Sequence, residues 1–374
     1  MKHWHQTRYN LNFQSVPTMP PRAKLLFKSL KAKLQGLRLR WGKRLLDRPC
    51  TTPIPDNIRS VLFLRQDGKI GDCIVSSFAY REIKRARPDI RIGVLCNHNN
   101  QFFFEHNPYI DDIYFVRPKH LRDYLRIGFQ LRKQYDALID PTVLLRNRDL
   151  LLLRLLAAPF SIGYLKADYR LFARSINNTQ LHFAQVYRQA LELLGITDID
   201  TRADLLADAE AQQTADAFLK ENQLVSNHYT AINFFGASRS RCFGNSQIAD
   251  MLTQLARDFP QRRFVLLGAP AFNDSLIQLA AAHSPQIVCF PATHISQTIE
   301  IIRSAHSLIS PDTATVHIAD AFHQPILAFY REDPQNFANW QPQSPSAQVL
   351  FYRHHINEVS PEHISRHLTN LFSE

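Results

Sequence analysis

Cysteine is scarce in this 374-residue chain, and what there is lies scattered. Cys50, Cys73, Cys96, Cys242 and Cys289 include no pair at CxxC spacing. That argues against a disulfide framework and against a zinc site, and it favours a reducing compartment such as the cytoplasm. Long apolar runs are missing too. The most apolar stretch, Leu150 to Phe160, is about half the length a bilayer-spanning helix needs and contains Arg154 and Pro159. Residues 1–21 are polar and aromatic, without the apolar core of a signal peptide. No complete dinucleotide fingerprint of the GxGxxG type occurs, which disfavours an NAD-dependent dehydrogenase.

Acidic residues are nearly absent from one segment. The formal net charge is 44 minus 33, or +11. Residues 22–48 hold ten Lys or Arg against Asp47 alone, so they carry +9 and leave +2 for all the rest. The protein is therefore a near-neutral body with a basic N-terminal arm. Within the arm Leu26, Leu30, Leu34, Leu37, Trp41 and Leu45 recur at steps of three or four, the pattern of one apolar stripe on a helix. Such a helix suits an anionic membrane surface. It equally suits packing on the body with a solvated basic face. No DNA or RNA motif accompanies the arm, so nucleic acid is not an expected partner. Pro49, Pro53 and Pro55 then read as a linker.

After the linker, strand and helix patterns alternate. Residues 61–64, 90–96, 113–116 and 137–139 read as strands, with a helix expected over 72–87. The pattern pauses over the acidic, alanine-rich residues 198–220, then restarts with strands at 229–233, 263–267, 287–289, 307–310 and 326–329. This predicts an α/β protein of two Rossmann-like domains facing a cleft. The expected boundaries are 1–55 for the arm and linker, 56–215 for the first domain and 216–374 for the second.

Three loops at predicted strand ends could carry chemistry. The first is Arg65-Gln66-Asp67-Gly68-Lys69-Ile70-Gly71-Asp72, where two glycines permit a tight turn close to a ligand. Carboxylates there sit where open α/β sheets place ligands, although Asp72 could equally cap the following helix. The second is Asn233-Phe234-Phe235-Gly236-Ala237-Ser238-Arg239-Ser240-Arg241, whose serines and arginines suit a phosphate. Incidental surface arginines are the alternative. The third runs from Ser310 to Ala321, where Asp312 and Thr313 can cap a helix whose free N–H groups make an anion site. His317 lies one turn past Thr313 on that helix, either as a ligand contact or as a satisfied structural residue.

In this order the three segments resemble glycosyltransferase family 9, the heptosyltransferases. Asp312-Thr313-Ala314-Thr315-Val316-His317-Ile318-Ala319 is similar to the family's Asp-Thr-Gly-Pro-x-His-x-Ala signature, with Ala314-Thr315 replacing Gly-Pro. Gly236-Ala237-Ser238 resembles its Gly-Ala-Ser segment, and residues 65–72 its opening Gly-Asp turn. The resemblance implies a GT-B fold and inverting, metal-independent transfer of heptose from ADP-heptose to the lipid A-core oligosaccharide, with no cofactor. It implies Asp72 as catalytic base. Ser238, Arg241, Asp312, Thr313 and His317 would bind the donor, and Arg65, Lys69 and Gly71 the acceptor. The enzyme would work at the inner face of the cytoplasmic membrane. A different nucleotide sugar, or a nucleotide-sugar-binding protein without catalysis, are the alternatives. Asp198-Ile199-Asp200 is formally a metal-binding DxD but falls in the expected linker.

Overall fold

The computed structural model describes residue 34, residues 36–49 and residues 53–372. Leu26 and Leu30 of the predicted stripe lie outside the described residues. The fold is α/β, built on two parallel sheets of six strands each. The first holds β1 (Ser60–Leu64), β2 (Arg91–Cys96), β3 (Asp112–Phe115), β4 (Ala137–Asp140), β5 (Phe160–Tyr164) and β6 (Arg174–Ile176). The second holds β7 (Tyr229–Asn233), β8 (Arg263–Leu267), β9 (Ile287–Cys289), β10 (Ser307–Pro311), β11 (Ile326–Arg331) and β12 (Ala347–Tyr352).

Strand order in the first sheet is β3-β2-β1-β4-β5-β6, and in the second β12-β11-β10-β7-β8-β9. Each is the doubly wound Rossmann order, so each reverses direction beside its first strand and leaves a crevice there for a ligand. In the first sheet that point lies between β1 and β4, in the second between β7 and β10. The central strands are mostly apolar and buried along their whole length, as sheets covered on both faces require.

Three strands escape the sequence pattern. β5 hides in the apolar stretch near Pro159, β6 has three residues, and β12 is only half-buried at an edge. The helix expected over 72–87 is two helices, Ile70–Val75 and Phe78–Ala86. Ser76 and Ser77 cause the break. Their hydroxyls donate back to the carbonyls of Asp72 and Ile74 at 2.8 and 2.7 Å and so compete with the helical ladder. Much of the expected linker is also ordered as helix: Ala209–Glu221 packs Ala215 and Leu219 into the core around β7 and β10.

The two halves are held face to face. Ile74 is buried among residues of the second half. Phe183 stacks on Trp340 at 4.1 Å between ring centres. Asn339 donates to the carbonyls of Thr179 and Leu181 at 2.9 and 2.6 Å.

Of the arm, residues 36–46 are helical, as is residue 34. This helix docks on the first half through the side opposite the leucine stripe. Gly42 abuts Asn147, whose amide donates to the Arg38 carbonyl at 3.0 Å. The Lys43 ammonium lies 4.4 Å from the centre of the Tyr169 ring. Leu46 packs on the core, and the Asp47 carboxylate accepts from the Leu171 N–H at 2.9 Å.

Candidate active site

The loop after β1 turns at Gly68, where φ is +69°. Any Cβ there would also collide with the Asn97 amide, so glycine is required twice over. Asn97 donates to the Gln66 carbonyl at 2.8 Å and Asn100 to the Arg65 carbonyl at 2.9 Å. These two asparagines fix the loop from the end of β2. Sequence reading missed both, because ordinary asparagines some thirty residues away carry no signal of their own.

Arg65, expected to meet the acceptor, is instead buried beneath the loop. It donates to the Tyr187 hydroxyl at 2.7 Å and lies 3.6 Å from Asp67. With Tyr187 and Asp67 as partners of its terminal nitrogens, it supports the loop from beneath. Lys69 takes the N-cap position of Ile70–Val75 without a side-chain cap bond, and Asp72 is the third helical residue rather than the cap. The Lys69 ammonium sits 3.4 Å from the Asp72 carboxylate. Burial pushes the Asp72 pKa up, against the pull of Arg65 and Lys69.

Asp72 and Lys69 line a cleft of about 370 Å³ with Gln66, Asp67, Arg146 and Arg148. The far wall is residues 141–144, the loop leaving β4. Lys166 clamps this loop by donating to the carbonyls of Thr142, Val143 and Tyr164. Gln66 Oε1 is buried there without a hydrogen-bond partner. Asp67 Oδ1 and Arg148 Nε, also without a hydrogen bond, are engaged in long ion pairs with Arg65 and Asp149, each at 3.6 Å. Polar atoms of both signs with hydrogen-bonding capacity to spare suit a hydroxyl-rich ligand with an acidic group. Arg146 and Arg148 were not legible as site residues, since two arginines at the start of a helix read first as surface.

Across the interface, the loop after β7 carries Ser238, exposed and 3.2 Å from the Ser240 hydroxyl, and Arg241. Arg241 donates to Asp312 at 2.7 Å, and Asn336 donates to the same carboxylate oxygen at 2.9 Å. Asp312 therefore orients Arg241 and does not cap the helix. Burial raises its pKa, with Asn336 and Arg241 opposing. Thr313 stands at the N-cap of Ala314–Ala321 without a side-chain cap bond. Its hydroxyl joins those of Ser310 and Thr315, each 2.7 Å from the next through Thr315, around the Asn233 amide. The replacement of Gly-Pro is thereby absorbed. Ala314 is the first helical residue and needs no positive φ, and the Thr315 hydroxyl is satisfied internally.

Gly71, expected to meet the acceptor, instead meets His317 across the interface and does not line the cleft beside Asp72. A Cβ on Gly71 would stand 3.0 Å from His317 Cδ2 and 3.7 Å from Ala314 Cα. His317 is buried, and burial lowers its pKa to about 4, so it is a neutral ring at physiological pH. The Asp198-Ile199-Asp200 carboxylates lie elsewhere, taken up by Arg85 and Arg202. Among the described residues, no group of three or more His, Cys, Asp or Glu is gathered as a metal site.

The short helix that holds Asp72 is thus pressed onto the helix that opens with the Asp312 signature. The profile of glycosyltransferase family 9 (heptosyltransferase) matches residues 124–365, well over half of the chain. The chain belongs to glycosyltransferase family 9. A curated relative, "Putative lipopolysaccharide heptosyltransferase 4" of Escherichia coli K12, is 25% identical over 315 residues, covering 82% of this chain and 83% of its own. The family 9 glycosyltransferase of Veillonella parvula shares the fold with a TM-score of 0.70 at 16% identity, over 85% of this chain and 98% of that one. The E. coli heptosyltransferase WaaC, solved with ADP, superposes with a TM-score of 0.65 at 17% identity, over 83% and 99%. In another structure WaaC is bound to ADP-2-deoxy-2-fluoro heptose, with a TM-score of 0.64 at 16% identity, over 83% and 99%. The matched span of this family 9 chain takes in Ser238, Arg241 and the Asp312 signature. Asp72 precedes it, so its standing rests on the contact with the signature helix.

Proposed function

We propose that this family 9 protein transfers heptose from ADP-heptose to the inner core of a lipid A-core acceptor, with inversion and without a metal. The observation that carries the reading is the close approach of Gly71 to His317 and Ala314, which sets Asp72 beside the signature helix. That WaaC, of the same fold, is solved with ADP-2-deoxy-2-fluoro heptose supports the choice of donor.

In this reading residues 56–215 bind the acceptor and 216–374 bind the donor. An acceptor hydroxyl in the cleft lies against Asp72, which takes its proton as the oxygen attacks the anomeric carbon. The C–O bond to the diphosphate breaks on the opposite face, and ADP carries the electron pair away. Arg241 and the N–H groups opening Ala314–Ala321 receive the leaving charge, the task a divalent metal performs elsewhere. Asp312 and Asn336 hold Arg241 in place, while Ser238 and Thr313 offer hydroxyls to the diphosphate. His317, expected as a donor contact, serves instead as a neutral ring packed between Gly71 and Trp340. The acceptor is lipid-borne, so the enzyme works peripherally at the inner face of the cytoplasmic membrane.

A donor screen with purified protein and a core acceptor tests the assignment. Turnover with ADP-heptose, undiminished by EDTA, is expected. Turnover only with another nucleotide sugar, or only after magnesium is restored, would replace it. Arg241→Ala should weaken ADP binding about ten- to a hundredfold, the usual cost of one charged hydrogen bond, and leave acceptor affinity alone. Calorimetry that finds ADP affinity unchanged would remove Arg241 from the donor site.

A further inference from the structure

The docked helix of the arm leaves its leucine stripe uncovered by the described residues. Leu34, Leu37, Trp41 and Leu45 are 59, 54, 56 and 62% exposed. Single exposed apolar residues are ordinary, but four on one face of one helix are not. At about 100° per residue, Arg38 and Arg44 fall on the two flanks of the stripe, with Arg40 farther round. All three are exposed, as is Arg48 just past the helix. The opposite side is fixed to the body through Gly42, Lys43, Leu46 and Asp47. The stripe is therefore held outward by the fold.

A second exposed apolar feature lies close in sequence to the point where the helix docks on the body. Val143 and Leu144 are 54 and 63% exposed. They belong to the loop that walls the Asp72 cleft, and Asn147, three residues on, is the residue that touches Gly42 and Arg38. The Lys166 clamp on the Val143 carbonyl, at 3.1 Å, fixes the loop that presents them.

We propose that Leu34, Leu37, Trp41 and Leu45, continued by Val143 and Leu144, form a docking surface for an anionic lipid bilayer, placing the mouth of the Asp72 cleft at the headgroup level. The inference rests on the reading of a lipid-borne acceptor, and it specifies how the enzyme meets it. Charge decides the occupant. An apolar stripe between arginines matches acyl chains below anionic headgroups. A second copy would set this basic face against another of the same sign. The chain's own residues 1–33 contain no Asp or Glu and would be repelled likewise.

Co-sedimentation of the full-length protein with phosphatidylcholine vesicles, with and without phosphatidylglycerol, tests this. Binding should need the anionic lipid and fall as salt rises. Leu37→Ser/Trp41→Ser/Leu45→Ser should lower partitioning at least about tenfold, and Arg38→Gln/Arg44→Gln about tenfold on anionic vesicles alone. Melting temperature should hold in both variants, because these side chains are exposed. Equal sedimentation of wild type and the serine variant would overturn the proposal. So would a lower melting temperature in the serine variant, which would show the stripe covered by the chain itself. A dimer in sedimentation equilibrium that the serine variant abolishes would assign the face to a second copy and overturn it too. Vesicle binding is read without substrate. If donor turnover fails while lipid binding persists, the transfer reading fails alone.

Discussion

Asp72→Asn should lower turnover by about 10²–10⁴-fold, the usual loss when a general base is removed, while ADP affinity and melting temperature stay near wild type. The side chain is about the same size, and its contact with Lys69 at 3.4 Å is partly exposed, so little stability is at stake. Burial raises the Asp72 pKa above the usual carboxylate range. A base must be deprotonated to act, so activity of the wild type should decline as pH falls through that raised value. The variant's residual rate should lack this limb. Single-turnover rates across pH measure both effects. A variant that keeps both its rate and its acid limb would show that another group takes the proton.

The second large effect concerns acid stability. His182 and His317 come from opposite halves and lie close enough to influence each other's charge. Burial lowers the pKa of each to about 4; in His182 the neighbouring His317 adds to it. An unfolded histidine titrates near 6.5. A depressed value gives stability that is complete above about pH 6.5 and is lost as pH falls toward 4, because the unfolded chain takes up protons that the native one refuses. At 1.36 kcal/mol per unit this is about 3 kcal/mol for each ring. Asp140 works the other way. Burial raises its pKa to about 6, which favours the native state by a similar amount as pH falls. Asp72, Asp149, Asp312 and Asp320, also raised by burial, act in the same direction as Asp140, so the two rings are read as a difference between proteins. Between pH 6.5 and 4 the wild type should lose melting temperature relative to His182→Gln/His317→Gln. A double variant whose pH profile parallels the wild type would sink the assignment.

Both effects hinge on residues that were legible to different degrees. β1, β7 and β10 announced themselves as mostly apolar runs, because a strand covered on both faces admits only polar residues that satisfy one another, as Thr230 and Ser307 do. Asp72, Arg241 and Asp312 were legible for the same reason: each follows such a strand, at the end where a doubly wound sheet binds its ligands. Arg65 shows the limit of that logic. It too follows a strand, yet Tyr187, more than a hundred residues later, draws it inward. No local pattern reports that pairing. Asn97, Asn100 and Asn336 were invisible for a related reason, being common residues whose value lies in what they meet. The stripe of the arm was plain from its spacing, but which way it faced depended on Gly42, a small residue that lets Asn147 come close.

Ile74, buried in the core of the second half, sits two residues past Asp72 on one short helix. Asp72, the proposed base, is thus rigidly geared to the contact between the two halves. Any rotation that parts them carries Asp72 away from the signature helix by the same motion that opens the site. Alignment for chemistry and closure of the molecule are one mechanical coordinate. A small molecule wedged beside Ile74 would jam that gear without resembling sugar or nucleotide.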